Sequence, residues 1–85
     1  MTERMIGQFV TTLLVEKKRA VAEHRNTGGD TSIYPDIARE VLMVYPTMTP
    51  VEKETVYGIF MNDAQSYPPH RMSAGVQGAA RILGL

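Results

Sequence analysis

The chain has 85 residues, with nine basic and nine acidic side chains and a formal net charge of zero. This length predicts one domain, and the even charge does not favour a dedicated nucleic-acid binder, which usually carries a basic excess. There is no cysteine, which excludes a disulfide framework, a thiolate zinc site and a cysteine nucleophile.

The first predicted element is a long helix from Thr2 to Arg25. Apolar residues recur at steps of three and four along its first half, and charged residues follow from Glu16 onward. About 24 helical residues span roughly 36 Å, more than the ~30 Å across a compact globule of this size. We therefore expect the helix to overhang its own core and to contact another chain through five apolar side chains: Met5, Ile6, Phe9, Val10 and Leu13.

The second predicted helix follows a glycine pair, of which Gly28 is expected to be the C′ residue that ends the first helix. Pro35 is tolerable only in the first turn of this second helix, and the helix ends before Pro46. Three residues are candidates for its N-cap: Asp30, Thr31 and Ser32. Its expected buried face comprises Ile37, Ala38, Val41, Leu42 and Tyr45.

The third predicted helix has the clearest local signal in the chain, at residues 49–52. Thr49 and Glu52 have the spacing of a capping box, and Pro50 occupies the first helical position. The helix is expected to reach about Ser66, and residues 67–70 break it. Its expected buried residues are Val51, Val56, Ile59, Phe60 and, less strongly indicated, Tyr57.

A short last helix is predicted from Ala74 to Leu83, with Ser73 as its cap and Val76, Ala79, Ala80 and Leu83 on one side. Gly75 and Gly78 each cost up to about 1 kcal/mol of helix propensity. Glycines at these positions are expected if another backbone packs closely against this helix. Without such packing, the end of the chain is expected to be frayed. The sequence therefore predicts an all-α fold over residues 1–85: a small bundle of three substantial helices plus a short C-terminal helix.

Residues suited to catalysis or metal binding are sparse. His24 and His70 lack the i, i+4 spacing of a metal-binding helix face. The carboxylates form no recognisable acid/base pair, and no serine lies in a nucleophile elbow. We therefore expect no enzyme, no metal and no cofactor.

An anion or nucleotide site is the first alternative. The loop 27–32 is rich in glycine and hydroxyl groups and precedes a helix, so its backbone N–H groups could hold a phosphate. Asp30 counts against this site, as does the absence of a Walker pattern. The candidate residues are Lys18, Arg25, Thr27, Gly28, Gly29, Thr31, Ser32 and Arg39.

A helix-turn-helix that binds DNA is the second alternative. The connection 45–50 has two prolines and no glycine, whereas the turn of that motif is shorter and often contains glycine. Glu52 and Glu54 at the start of the third helix would repel phosphates. Nucleic acid is therefore an unlikely partner.

Methionine and aromatic residues fit either a core or a contact surface. Met5, Phe9, Phe60 and Met61 lie on or beside apolar stripes and are expected in the core. The tyrosines and further methionines are also expected in the core, although amphipathic rings and flexible methionine side chains would suit an adaptable contact surface. These residues are Tyr34, Tyr45, Tyr57, Tyr67, Met43, Met48 and Met72.

The expected function is a non-enzymatic protein–protein interaction module that self-associates through its first helix, most simply as a dimer, and contacts another protein. An adaptor, an assembly factor or an inhibitor fits this description, and inhibitors of phages and mobile elements are often this small. The longest apolar run, 41–45, is far shorter than the ~20 residues of a membrane span, and residues 1–15 make a poor signal peptide. We therefore expect a cytoplasmic protein without a membrane partner.

Overall fold

Four helices make up most of the residues that the computed structural model describes, which are 3–24, 33–65 and 69–85, with the side chains of 4–23, 33–65 and 75–85. They are α1 (Glu3–His24), α2 (Ile33–Val44), α3 (Pro50–Ala64) and α4 (Pro69–Leu83). The described residues contain no β-strand. The prediction of an all-α helical bundle is confirmed.

The helices form a ring in the order α1, α2, α4, α3, and each packs mainly against its two neighbours in that ring. α1 and α2 are antiparallel, because Phe9 contacts Tyr45 and, two turns further along α1, Lys17 pairs with Glu40. The most extensive packing joins α2 to α4. α2 and α3 lie diagonally across the ring although only the loop 45–49 joins them.

The core occupies the centre of this ring. Tyr34 of α2 and Phe60 of α3 are its largest fully buried side chains, and their ring centroids are 5.3 Å apart across the bundle. Burial of such side chains is the main favourable contribution to folding. The other buried apolar residues are Ile6, Val10, Leu14, Ile33, Ile37, Ala38, Val41, Met48, Val56, Ala64, Val76, Ala79 and Leu83.

Most of the predicted core positions are confirmed. The buried set includes Ile37, Ala38 and Val41 of α2, Val56 and Phe60 of α3, and Val76, Ala79 and Leu83 of α4. Five more predicted residues are half-buried: Leu42, Tyr45, Tyr57, Ile59 and Ala80. A period of 3.6 residues therefore identified the inward faces of α2 and α4.

α3 begins as predicted, with a complete capping box. The hydroxyl of Thr49 accepts a hydrogen bond from the backbone N–H of Glu52 at 3.2 Å, and the Glu52 carboxylate accepts one from the N–H of Thr49 at 2.8 Å. The buried line of α3 starts at Glu52 and continues through Val56 and Phe60. Val51 lies about 100° around the helix from this line and is exposed, so its predicted burial is wrong.

α4 begins at Pro69, earlier than the predicted start at Ala74, and its 15 residues equal the length of α3. A proline at the first helical position gives up no intrahelical hydrogen bond, and its fixed φ suits the helix. Residues 67–70 are predicted to break α3, which ends before them at Ala64, but Pro69 also begins α4. The description of α4 as a short helix is corrected accordingly.

A close contact at a glycine of α4 is found at Gly78, but with a side chain in place of the predicted backbone. A Cβ atom built there would lie 3.1 Å from Cγ of Pro35 in α2, closer than an ordinary van der Waals contact. The neighbour is a proline ring rather than backbone. A Cβ at this position would require the Pro35 ring to shift by a few tenths of an ångström.

α1 is nearly as long as the whole molecule. Its 22 residues span about 33 Å, and the longest dimension of the molecule is 35 Å. In its second half, Val21 packs against the core, and Lys17 and Lys18 pair with α2 and α3. These contacts tie part of this half to the rest of the chain, but none of its described residues after Leu14 is buried, so the expected overhang stays a prediction. The predicted glycine cap of α1 and the predicted caps of α2 lie outside the described residues.

Candidate functional site

Four helix termini meet at one end of the bundle. Phe9, near the start of α1, contacts Tyr45, directly after α2, with ring centroids 5.8 Å apart. The loop 45–49 leads from there into α3. The end of α4 lies beside the start of α3, because Nζ of Lys53 is 3.8 Å from the position that a Cβ of Gly84 would take.

This end carries most of the large apolar side chains that the chain leaves exposed. Six such residues stand out among the described residues, and five of them lie in or next to the terminal turns that meet here. Their exposed fractions range from 51% to 82%. We call this region the apolar end and define it by Met5, Met43, Val44, Val51 and Leu85.

The sixth exposed residue is Val15, in the middle of α1. Single exposed apolar residues are normal on a protein surface, whereas a concentration of them is informative. The sequence did not predict that Val51 and Met43 are exposed at the apolar end. Both are apolar residues in helices that have a buried face, and such residues are expected in the core.

The residues predicted for self-association lie mostly inside the chain's own core. Ile6 and Val10 are fully buried, and Phe9 and Leu13 are half-buried against the same core. A partner therefore cannot reach Ile6 and Val10 in the folded protein. Met5 is the member of the set that is exposed, and it belongs to the apolar end. Self-association itself stays a prediction.

A small pocket opens at the apolar end between α2, the loop 45–49 and α3. It has a volume of about 150 Å³ and is lined by Val44, Tyr45, Pro46, Thr47, Met48 and Glu52. Glu52 is only 8% exposed. One of its carboxylate oxygens accepts the capping hydrogen bond from Thr49, and among the described residues no cation pairs with it.

A larger and shallower groove of about 550 Å³ lies between α1 and α3. Gly7 forms its floor against Ile59, with 3.7 Å between Cδ1 of Ile59 and the position of a Cβ at Gly7. Thr11 on its wall donates a hydrogen bond from its hydroxyl to the carbonyl oxygen of Gly7 at 2.8 Å. Arg4, Gln8 and Thr12 complete the lining.

Polar contacts between helices dominate the opposite part of the bundle. The carboxylate of Asp63 in α3 accepts hydrogen bonds from Nζ of Lys18 in α1 and from the hydroxyl of Tyr34 in α2, the latter at 2.6 Å. Nζ of Lys17 lies 3.5 Å from Oε1 of Glu40. We call Lys17, Lys18, Tyr34, Glu40 and Asp63 the charged end. The contacts of the charged end join three helices. The sequence did not indicate a role for Asp63, because the partners of Asp63 are distant in sequence.

The predicted anion site is described only in part. Lys18 pairs with Asp63, and Arg39 pairs with Asp36 at 3.0 Å, so each of these cations already has a carboxylate within the chain. The other candidates, Arg25, Thr27, Gly28, Gly29, Thr31 and Ser32, lie outside the described residues, as do the side chains of His24 and His70. Anion binding stays a prediction that no contact favours.

The aromatic and methionine residues divide between the core and the surface. Tyr34 and Met48 are buried, Tyr45 and Tyr57 are half-buried against the core, and Met43 is exposed. Tyr67 and the side chain of Met72 lie outside the described residues. Of the four residues expected in the core, Phe60 is buried, Phe9 and Met61 are half-buried, and Met5 is exposed, contrary to the prediction.

The helix arrangement does not favour a helix-turn-helix. In that motif two consecutive helices form one unit around a short turn, whereas α2 and α3 lie diagonally across the ring. Within the described part of the chain, no three His, Asp or Glu side chains cluster as metal ligands would. None of the described helices is both long and apolar enough to cross a membrane.

Comparison with known proteins gives no match for this chain to a family model, to a curated protein or to a solved structure.

Proposed function

We propose that the chain is a non-enzymatic protein–protein interaction module that contacts its partner through the apolar end. The observation that carries this proposal is the concentration of five exposed apolar side chains at one end of the bundle. Burying apolar area yields roughly 25 cal/mol per Å², which favours association at this end. Two of the five residues, Met5 and Met43, have flexible side chains that adapt to a partner's shape.

The proposal covers an adaptor, an assembly factor or an inhibitor, including the small inhibitors of phages and mobile elements. It also retains the cytoplasmic location expected from the sequence. These possibilities differ in the identity of the partner, so an experiment that captures a partner through a defined surface decides between them.

A matched pair of variants tests the surface. Val51 and Val15 are exposed to nearly the same extent, 53% and 56%, but only Val51 lies at the apolar end. We would immobilise the wild-type chain, Val51→Asp and Val15→Asp, and compare the proteins that each retains from the source cells by quantitative mass spectrometry.

The proposal predicts a protein that the wild type and Val15→Asp retain equally and that Val51→Asp loses at least tenfold. Circular dichroism would establish that both variants keep the wild-type helix content. Partners that Val15→Asp loses and Val51→Asp keeps would assign the contact to the middle of α1 and contradict the proposal, as would the absence of any protein whose retention depends on Val51.

A further inference from the structure

We propose that a second copy of this chain occupies the apolar end, and that Arg4 of each copy enters the Glu52 pocket of the other. This inference rests on the proposed function, because it uses the same end of the bundle. It adds the identity of the partner and the charged contact that orients it.

Glu52 supplies the anion of this contact. Its side chain is 8% exposed, and burial of a carboxylate is costly unless hydrogen bonds or a cation compensate it. The N–H of Thr49 satisfies one oxygen, and no cation from the described residues lies within ion-pair distance. The pocket beside Glu52 is otherwise lined mainly by apolar groups, which suit the aliphatic stem of a basic side chain.

Arg4 supplies the cation. It is exposed in the first turn of α1, where the positive end of the helix dipole disfavours a positive charge. Among the described residues no carboxylate pairs with Arg4. A guanidinium group matches the geometry of a carboxylate and loses less hydration than an ammonium group, so Arg4 suits the pocket.

The arrangement is self-complementary. One end of the molecule presents a cation on α1 and a pocketed anion on α3, neither of which has an ion-pair partner among the described residues. The same end carries exposed apolar side chains, among them Met5 and Val51. When two copies meet about a two-fold axis, a contact between residues i and j occurs twice. Each Arg4 then pairs with the Glu52 of the other copy while the apolar side chains are covered. A second copy supplies an ion-pair partner to both charges at once, which favours it over an unrelated partner.

The size of the surface indicates a weak dimer. The two shorter dimensions of the molecule are 23 and 18 Å, which give an end of roughly 400 Å², against the ~800 Å² per partner of a standard interface. We therefore expect dissociation constants between about 1 μM and 1 mM, and an association that weakens as salt screens the charges.

A charge exchange tests the pairing. In Arg4→Glu two carboxylates would face each other across the interface, and in Glu52→Lys two cations would do so. The dissociation constant of each variant's homodimer should therefore be at least about thirtyfold higher than that of the wild type. In an equimolar mixture the heterodimer contains one wild-type pair between Arg4 and Glu52 and one pair of reversed polarity, so it should form. Sedimentation equilibrium at low salt, from about 10 μM to 1 mM, measures all four samples.

Two further variants separate the interface from the helix cap. Glutamine also serves in a capping box, so Glu52→Gln keeps the acceptor for the N–H of Thr49 and removes only the charge. It should weaken the dimer, and combining it with Arg4→Gln should weaken the dimer no further. Arg19→Glu changes an exposed cation on the second half of α1 and should leave dimerisation unchanged. If Glu52→Lys does not fold, this cycle of glutamine variants decides the question.

Three results would overturn the inference: a wild-type chain that stays monomeric at 1 mM, Arg4→Glu that dimerises as the wild type does, or an exchange mixture that forms no heterodimer. A dimer lost in Val51→Asp but kept in Arg4→Glu would reject the charged pair and retain the apolar end. A monomeric wild type that still captures a different protein through Val51 would reject the second copy and retain the proposed function.

Discussion

The two ends of the bundle differ in what their side chains contact. At the charged end, Asp63 takes hydrogen bonds from Lys18 and Tyr34, so one carboxylate links side chains from three helices within the chain. At the apolar end, residues such as Met43 and Val51 remain exposed, and Glu52 has no described cation beside it. The charged end joins helices of one molecule, whereas the apolar end has the composition of a contact surface.

The comparison shows that stability and association can be assigned to different parts of a small protein. Substitutions at the charged end should lower the free energy of unfolding. Substitutions of the exposed apolar side chains at the apolar end should change association and leave stability nearly unaltered. Four variants, measured by urea denaturation, test this division.

The largest effect is expected for Asp63→Ala, because it removes the acceptor for both Tyr34 and Lys18. A hydrogen bond to a charged group contributes about 1.5–3 kcal/mol, and the partly exposed ion pair with Lys18 adds little. The free energy of unfolding should fall by about 2–3 kcal/mol. Val51→Ala at the apolar end should change it by less than about 0.5 kcal/mol. Equal losses in both variants would contradict the division.

A smaller effect is expected for Tyr34→Phe. This variant removes the hydroxyl that donates to Asp63 at 2.6 Å and keeps the aromatic ring that packs against Phe60. The loss should be about 1–2 kcal/mol, less than that of Asp63→Ala, which also removes the acceptor for Lys18. A loss below about 0.5 kcal/mol would mean that this hydrogen bond contributes nothing to the charged end.

Thr49→Ala should cost about 1 kcal/mol, the usual contribution of an N-cap. It lies at the apolar end, so it sharpens the comparison: stability there comes from the capping box, in which Thr49 and Glu52 bond to each other. Thr49→Ser keeps the acceptor oxygen and should restore most of the loss. If serine were no better than alanine, the cap would not be the cause.

The smallest effect is expected for Lys17→Gln. Its ion pair with Glu40 has 3.5 Å between charged atoms, and both side chains are partly exposed, so the loss should be below about 0.5 kcal/mol. Raising the salt concentration should abolish the difference from the wild type. A loss comparable to that of Asp63→Ala would show that the charged end depends on this ion pair.

Local signals predicted much of the fold. The capping box at Thr49 located the start of α3, and the spacing of Ile37 and Val41 identified the inward face of α2. The prediction failed at Val51 because the pattern assigned this apolar residue to the core. The buried line of α3 starts instead at Glu52, about 100° around the helix from Val51.

The candidate site was much less predictable. The apolar stripe of α1 indicated a buried face but did not distinguish burial in the chain's own core from burial against a partner; Ile6 and Val10 prove to be core residues. The cluster around Asp63 has no local signal, because Lys18 and Tyr34 are 45 and 29 positions away. Such contacts depend on how the helices are arranged, which periodicity does not specify.

The diagonal placement of α2 and α3 has a consequence for folding. The hairpins α1–α2 and α3–α4 each join consecutive helices that are also neighbours in the ring, but the most extensive packing, between α2 and α4, joins one hairpin to the other. Each hairpin alone leaves the core side chains of α2 or α4 uncovered. We therefore expect neither half to fold as an isolated peptide and the whole chain to unfold in a single cooperative transition.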